Sequence, residues 1–154
     1  MTRVFIDTEL WNYAIKKPKD NVDSVAKNRY LLASSFLKER FKKDHIYISN
    51  HQIAEMFHVF SFRGSRIPIV TTRTYLENLG NMENITVIEV DALHIKNAMK
   101  LSQESGVHIW DFLCILPVLD HVEIIYTCDS HFQSRTFEDF GKPIENPLGD
   151  WLQA

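Results

Sequence analysis

Two short apolar segments of this chain lead directly to acidic residues. Val4-Phe5-Ile6 is followed by Asp7, and the apolar run over residues 122–126 is followed within three positions by Asp129. Short apolar runs that end in polar turn residues are typical of the buried strands of a parallel sheet. Because open α/β sheets bind their ligands beyond the carboxyl ends of the strands, this pattern predicts an acidic site at one edge of such a sheet.

Strands and helices are predicted to alternate along the whole chain. The predicted strands are residues 3–7, 45–49, 85–89, 122–127 and 142–145. The predicted helices are residues 9–15, 24–43, 73 to about 78 with an end near Gly80, 92–105 and 109–119, with a further helix that begins at residue 50. This alternation implies right-handed crossovers and helices on both faces of a parallel sheet. We therefore predict one α/β domain over residues 1–154, with three αβα layers and a five-stranded parallel sheet.

Apolar residues recur at helical spacing in the two longest predicted helices. In the helix at 24–43 they are Val25, Leu31, Leu32, Phe36, Leu37 and Phe41. In the helix at 92–105 they are Ile95, Ala98, Met99 and Leu101. Each set predicts a buried face of an amphipathic helix. Pro117 is predicted to kink or loosen the end of the helix at 109–119.

Composition indicates a globular protein without a membrane span. Apolar residues make up 45% of the chain and charged residues 24%, and the apolar runs are far shorter than the ~20 residues that a span needs. Met1 lies next to a strand without a signal-peptide segment, which predicts a cytoplasmic protein. Cys114 and Cys128 have apolar neighbours in the sequence, so we expect buried thiols and no disulfide.

Basic residues are concentrated in two parts of the chain. Residues 16–43 contain nine basic and three acidic residues, a local charge of +6, so the rest of the chain carries −9. Arg63, Arg66 and Arg73 form a second group with no acid between them. Such groups either form a solvated surface or bind a polyanion such as RNA. The candidate substrate-binding residues are Lys16, Lys17, Arg63 and Arg66.

Four acids share an unusual position, since each lies among apolar neighbours at a strand end or near the start of a helix. They are Asp7, Glu55, Asp111 and Asp129. In simpler interpretations, Asp7 caps a helix, Glu55 faces solvent and Asp111 complements a helix dipole. Asp129 could likewise serve only an Asx turn. A parallel sheet would bring all four to one edge, where their mutual repulsion requires bound protons or a cation.

Other signals for chemistry are weaker. Cys128 and His131 are three residues apart, but no second pair of ligands has the spacing of a zinc site. The remaining histidines, including His108, are scattered and are given no catalytic role. Trp11, Trp110 and Trp151 are interpreted as packing or interface residues rather than as base-stacking platforms. The sequence contains no glycine-rich phosphate-binding loop, since neither the dinucleotide-binding pattern nor the P-loop pattern occurs in it.

An ordered set of motifs resembles the PIN-domain family. Residues 4–8, Val-Phe-Ile-Asp-Thr, resemble its opening segment, and Ser49 with Glu55 resembles its second element. Ile109-Trp110-Asp111 before an apolar helix resembles the third element. The fourth element is similar to the segment Thr127-x-Asp129-x-x-Phe132, which Phe140-Gly141 and Ile144-Glu145 follow. The match covers nearly the whole chain, and its compact size is similar to that of VapC-type toxins.

The resemblance implies a PIN-like fold and an endoribonuclease that depends on Mg²⁺ or Mn²⁺ and hydrolyses RNA with a metal-activated water. It assigns both metal binding and catalysis to Asp7, Glu55, Asp111 and Asp129. Thr127 would support the site through a hydrogen bond. The VapC-type likeness further implies the toxin of a toxin–antitoxin pair, with RNA as substrate, a small antitoxin protein as partner, and a homodimer.

Two alternatives remain open at this point. One is a structure-specific or DNA-directed nuclease on the same scaffold. The other is a non-catalytic PIN-like module that binds RNA or a partner protein. Metal-dependent cleavage distinguishes the enzymes from the binding module.

Overall fold

Five parallel strands form the central layer of the computed structural model, which describes residues 1–19 and 23–153. They are β1 (Thr2–Ile6), β2 (Asp44–Ser49), β3 (Ile85–Ile88), β4 (Ile124–Tyr126) and β5 (Ile144–Glu145). Their order across the sheet is β3-β2-β1-β4-β5, and every neighbouring pair is parallel. The strand order reverses between β1 and β4, and ligands bind at such a switch point in open α/β sheets. The predicted five-stranded parallel sheet is confirmed.

Helices cover both faces of the sheet, as the three-layer prediction requires. They are α1 (Thr8–Ile15), α2 (Ser24–Lys43), α3 (Asn50–Phe62), α4 (Ile69–Gly80), α5 (Ala92–Ser105), α6 (Ile109–Ile115) and α7 (Arg135–Glu138). Within the described ranges, no helix is both long enough and apolar enough to cross a bilayer. A part of the basic segment, residues 20–22, lies outside the described residues.

The alternating side chains of β1 enter two different cores. Val4 and Ile6 join one apolar cluster, whereas Phe5 joins the cluster on the opposite face. This is the two-residue period of a strand that is buried on both faces. In the second cluster Phe137 stacks on Phe132, with ring centroids 4.2 Å apart. Phe132 belongs to a short 3-10 helix, residues 130–133, so this packing anchors the segment that follows Asp129.

Two buried side chains hold the carboxyl end of β1. The carbonyl oxygen of Ile6 accepts a hydrogen bond of 3.0 Å from Trp11 Nε1 and one of 2.7 Å from Gln52 Nε2. Trp11 lies on α1 and Gln52 on α3, so both neighbouring helices fix the backbone immediately before Asp7. The predicted packing role of Trp11 agrees with its burial.

Several predicted helix bounds were wrong. α4 begins at Ile69, directly after Pro68 and earlier than predicted, whereas its end at Gly80 agrees with the prediction. α6 ends at Ile115 rather than at residue 119, because a proline at position 117 cannot donate the backbone hydrogen bond that continues a helix. A separate 3-10 turn then spans Leu119–His121. The 3-10 helix at 130–133 and α7 were not predicted.

The predicted apolar faces of α2 and α5 are only partly buried. Ala33 and Leu37 of α2 are buried, whereas the apolar residues on its other sides, Val25, Leu31 and Leu32, are exposed. Of the four residues predicted to face inward from α5, Ala98 alone is fully buried, while Ile95 and Met99 are exposed. The predictions were wrong here because these residues spread around each helix more widely than the narrow stripe that contacts the rest of the protein.

Candidate active site

A cavity of about 260 Å³ lies at the carboxyl edge of the sheet. All four acids predicted from the sequence line it: Asp7, Glu55, Asp111 and Asp129. They come from the end of β1, the second turn of α3, the first turn of α6 and the segment after β4. The structure therefore brings residues from four distant parts of the sequence into one cavity.

The predicted substrate-binding residues are placed differently. Arg63, at the carboxyl end of α3, lines the acidic cavity. Lys16, Lys17 and Arg66 are exposed and are not among the residues that line it. Of these four residues, Arg63 is therefore the one that shares the cavity wall with the acids, and the substrate-binding role of all four stays a prediction.

A threonine hydroxyl links the two central strand ends. Thr127 Oγ1 donates to Asp7 Oδ2 at 2.8 Å and accepts from the backbone N–H of Asp129 at 3.0 Å. The other carboxylate oxygen of Asp7 accepts from the backbone N–H of Thr8 at 2.9 Å, so Asp7 also caps α1. Because Asp7, Thr127 and Asp129 are all buried, these bonds fix the carboxylate of Asp7 and the backbone of Asp129 at the sheet edge.

Two histidines lie close to one oxygen of the Asp111 carboxylate. His131 Nδ1 lies 3.2 Å from Asp111 Oδ2 and 3.6 Å from Asp129 Oδ1, so one imidazole contacts both carboxylates. His108 Nε2 lies 3.7 Å from the same Asp111 oxygen, and the two imidazole rings are in edge-to-face contact with centroids 5.2 Å apart. Sequence reasoning missed both histidines. The available signal was their spacing, because His108 precedes Asp111 by three residues and His131 follows Asp129 by two.

Glu55 is held by a thiol from α6. Cys114 Sγ donates to Glu55 Oε2 at 2.9 Å, and His51 Nε2 lies 3.8 Å from the same oxygen. Burial, followed by the negative charge of Glu55, raises the pKa of Cys114 well above its usual value. The thiol therefore stays protonated and donates at neutral pH. Cys114 and Cys128 are buried and form no disulfide, but the contact with Glu55 was not predicted.

Two further residues that the sequence analysis did not single out line the cavity at the start of α1. Glu9 adds a fifth carboxylate, and burial raises its pKa against the opposing charge of Arg63. Thr8 is buried, and within the described residues its Oγ1 has no hydrogen-bond partner. A hydroxyl without a partner in a polar cavity requires a bound water or ligand.

The C-terminal residues form part of the cavity wall. Leu152 pairs with Asp129 in a parallel β-bridge. Its N–H donates to the carbonyl of Cys128 at 2.7 Å, and its carbonyl accepts from the N–H of Ser130 at 2.8 Å. Leu152 and Gln153 both line the acidic cavity. This pairing extends the sheet beside the segment that carries Asp129.

The carboxylates are electrostatically destabilised where they lie. Burial raises the pKa of Asp7 well above its usual value, and the charges of Asp111, Glu55 and Asp129 raise it further. Burial also raises the pKa of Asp111 to about 6, although His108 and His131 act in the opposite direction. Like charges in a low-dielectric site need a counter-charge.

The donor set fits a hard divalent cation. The cavity offers several carboxylate groups, and oxygen ligands of this kind suit Mg²⁺ or Mn²⁺. Thr8 Oγ1 adds a buried polar atom that could bond to water around such an ion. The residues present therefore satisfy the chemical requirements of the cofactor that the resemblance implies.

Replacement of Thr127 by valine should destabilise the protein, because Asp7 Oδ2 and the N–H of Asp129 would both lose a buried partner. We expect a loss of about 1–3 kcal/mol in the free energy of unfolding, measured by urea denaturation in EDTA. Thr127→Ser keeps the hydroxyl and serves as the matched control. Equal losses in the two variants would mean that the hydroxyl does not stabilise the strand ends.

Replacement of Asp111 by asparagine should change how stability depends on pH in the absence of metal. The folded-state pKa of about 6 lies above the usual 3.8, so the folded protein binds this proton more tightly than the unfolded chain. The contribution of Asp111 to stability therefore falls as pH rises from about 4 to about 6. Across this range the free energy of unfolding of Asp111→Asn should rise relative to that of the wild type, by at most about 3 kcal/mol.

Urea denaturation at a series of pH values in EDTA measures this difference. Glu104→Gln, which replaces an exposed acid of α5, is the control and should keep a constant difference from the wild type. A difference between Asp111→Asn and the wild type that stays constant or shrinks from pH 4 to 6 would contradict the raised pKa.

Comparisons with known proteins identify similar solved structures. No protein-family model matches the sequence, and no curated protein matches it. VapC20 of Mycobacterium tuberculosis, a Sarcin-Ricin loop cleaving toxin, superposes with a TM-score of 0.61 and 16% identity over 84% of this chain and 92% of its own. VapBC2 of Rickettsia felis, bound to a DNA fragment from its promoter, gives a TM-score of 0.58 and 16% identity over 94% of this chain and 98% of its own.

FitAcB of Neisseria gonorrhoeae has a similar fold, with a TM-score of 0.57 and 13% identity over 95% of this chain and 99% of its own. At identities of 13–16%, such likeness establishes the fold and leaves the activity to be argued from the site. The PIN-like fold that the motif resemblance implies is confirmed: the chain shares the three-layer fold of these VapC-type structures.

Proposed function

We propose that this chain is a Mg²⁺- or Mn²⁺-dependent endoribonuclease that hydrolyses RNA phosphodiesters, and that it is the toxin of a toxin–antitoxin pair. One observation supports the chemistry above all others. Carboxylates from four separate segments line one cavity at the switch point of the sheet, and their burial there raises the pKa of Asp7 and of Asp111. Acidic groups with strongly raised pKa values in one cavity are typical of sites that bind a cation or a substrate.

The metal-binding residues in this proposal are those predicted from the sequence: Asp7, Glu55, Asp111 and Asp129. A bound divalent ion would lower the pKa of a water nucleophile and neutralise charge that develops on the phosphodiester.

The surrounding residues position the acids. The hydrogen bond from Thr127 orients Asp7, and the thiol of Cys114 holds one oxygen of Glu55. His131 contacts both Asp111 and Asp129, so its protonated form would partly offset their charge when no ion is bound. Loss of any of these contacts would leave a carboxylate free to turn away from the cavity.

The shared fold and the position of Arg63 support the proposed substrate and partners. VapC20 is a Sarcin-Ricin loop cleaving toxin, and the shared fold extends RNA cleavage to this chain as a proposal. Arg63 lies on the cavity wall, where its positive charge would bind a phosphate. The VapC-type resemblance adds a small antitoxin partner and a homodimer to the proposal.

Cleavage of single-stranded RNA in the presence of Mn²⁺ tests the enzyme. We expect the wild type to cut and Asp7→Asn and Asp111→Asn each to lose more than about 100-fold in rate, because charge stabilisation by a bound ion contributes several kcal/mol to such reactions. The exposed-acid variant Glu104→Gln is the control and should keep wild-type activity.

Three outcomes would overturn the proposal in different ways. Unchanged cleavage in both asparagine variants would remove the acidic cavity from the reaction. Cleavage of DNA but not of RNA would favour a DNA-directed nuclease. Absence of cleavage together with RNA binding that weakens steeply with salt would favour a non-catalytic binding module.

Metal binding should also be visible without cleavage. Mn²⁺ or Mg²⁺ should raise the melting temperature of the wild type, because a ligand that binds only the folded state stabilises it. The increase should be smaller in Asp7→Asn, whereas Glu104→Gln should respond like the wild type. Differential scanning fluorimetry against metal concentration measures both effects, and an equal increase in Asp7→Asn would exclude Asp7 as a ligand.

A further inference from the structure

A second cavity, of about 480 Å³, opens beside the acidic one. Glu55, Arg63 and His108 line both cavities, so the two share a wall. The remaining residues that line the second cavity are His51, Ala54, His58, Val59 and Trp110. The second cavity therefore adds an indole and two imidazole rings to the wall that carries Glu55 and Arg63.

Trp110 is held in place but remains accessible. Its ring stacks on that of His51, with centroids 5.6 Å apart and planes within 7° of parallel, yet 56% of the residue is exposed. Consecutive residues of a helix project about 100° apart. Asp111 therefore faces the acidic cavity while its neighbour Trp110 faces the second one. The exposed part of a large ring that is held in one orientation offers a surface on which a planar ligand can stack.

The face of α3 that bears Glu55 continues this aromatic lining. His51, Glu55, His58 and Phe62 are spaced four, three and four residues apart, which places them along one side of the helix. Phe62 is exposed and stacks on His58, with ring centroids 5.9 Å apart. Planar side chains therefore lie on either side of the carboxylate along α3.

We propose that Trp110 and His51 form a stacking site for an unpaired base of single-stranded RNA, next to the phosphate that enters the acidic cavity. This inference rests on the proposed function and adds a base-binding subsite to it. Proteins that read single strands stack unpaired bases on aromatic rings. Arg63 and His108 lie on the shared wall, where they would contact the phosphate between that base and the acids.

The sequence alone favours packing or an interface as the role of Trp110. The ring packs on His51 through one side, yet 56% of the residue is exposed, so packing within this chain does not account for the whole side chain. The shared wall with the acidic cavity favours a nucleic-acid base over a second copy of the chain, because an RNA strand bound at the acids must continue across an adjoining surface. A contact between two copies is kept as an outcome of the test.

The test compares the wild type with Trp110→Ala and Trp110→Phe on short single-stranded RNAs in which one nucleotide at a time is abasic. Affinity is measured by fluorescence anisotropy in Mn²⁺, and kcat and KM are measured wherever cleavage occurs. We expect one abasic position to weaken binding to the wild type by about 5- to 150-fold, the range that loss of a stacked base gives. The same position should cause no further loss in Trp110→Ala, whereas Trp110→Phe should keep most of the dependence.

Leu93→Ala is the matched control, because Leu93 is an exposed apolar residue of α5 that lines neither cavity. It should behave as the wild type with every RNA. Circular dichroism and the melting temperature check that Trp110→Ala is folded. Should that variant fail to fold, tryptophan fluorescence decides: RNA should quench the wild type, and the quenching should be largely lost in Trp110→Phe.

Equal abasic penalties in the wild type and Trp110→Ala at every position would overturn the inference. A shift in oligomeric state with Trp110→Ala, without any change in the abasic penalties, would overturn it in favour of a contact between copies. The proposed function fails separately. A wild type that shows the Trp110-dependent penalty but cuts nothing has the subsite without the nuclease, and one that cuts without the penalty has the nuclease without the subsite.

Discussion

Repulsion between buried carboxylates is the constraint to which the other features of the site are adapted. Burial and neighbouring charges both raise the pKa of Asp7 and of Asp111. The hydroxyl of Thr127 and the imidazole of His131 act against this shift without cancelling it. A protein of ordinary stability has only about 5–15 kcal/mol to lose, so the cavity can hold these groups only because two apolar cores fix the strand ends on either side and because protons or a cation can bind.

The acidic cavity could be predicted because strand ends are local features of a sequence, and a parallel sheet gathers them at one edge. The simpler interpretations of two acids also hold. Asp7 caps α1 through one oxygen and contacts Thr127 through the other, while Asp129 accepts from the N–H of His131 in a turn and still lines the cavity. A carboxylate has two oxygens, so a structural role for one does not prevent a functional role for the other.

The neighbours of the acids could not be predicted, because they depend on how separate elements cross. Cys114 meets Glu55 from 59 residues away, and no local spacing indicates which face of α6 approaches α3. The same limit explains the wrong apolar faces of α2 and α5. Helical periodicity identifies residues that can be buried, but the contact with neighbouring elements selects a narrower stripe, which in α5 leaves Ile95 and Met99 exposed.

The β-bridge between Leu152 and Asp129 has a practical consequence for recombinant work. Leu152 and Gln153 line the acidic cavity, so a polyhistidine tag placed beside them could itself capture the metal under study. The amino end of β1 lies at the opposite edge of the sheet from Asp7, because the strand runs from Thr2 to Ile6 towards the cavity. Purification handles and fluorophores therefore belong on Met1.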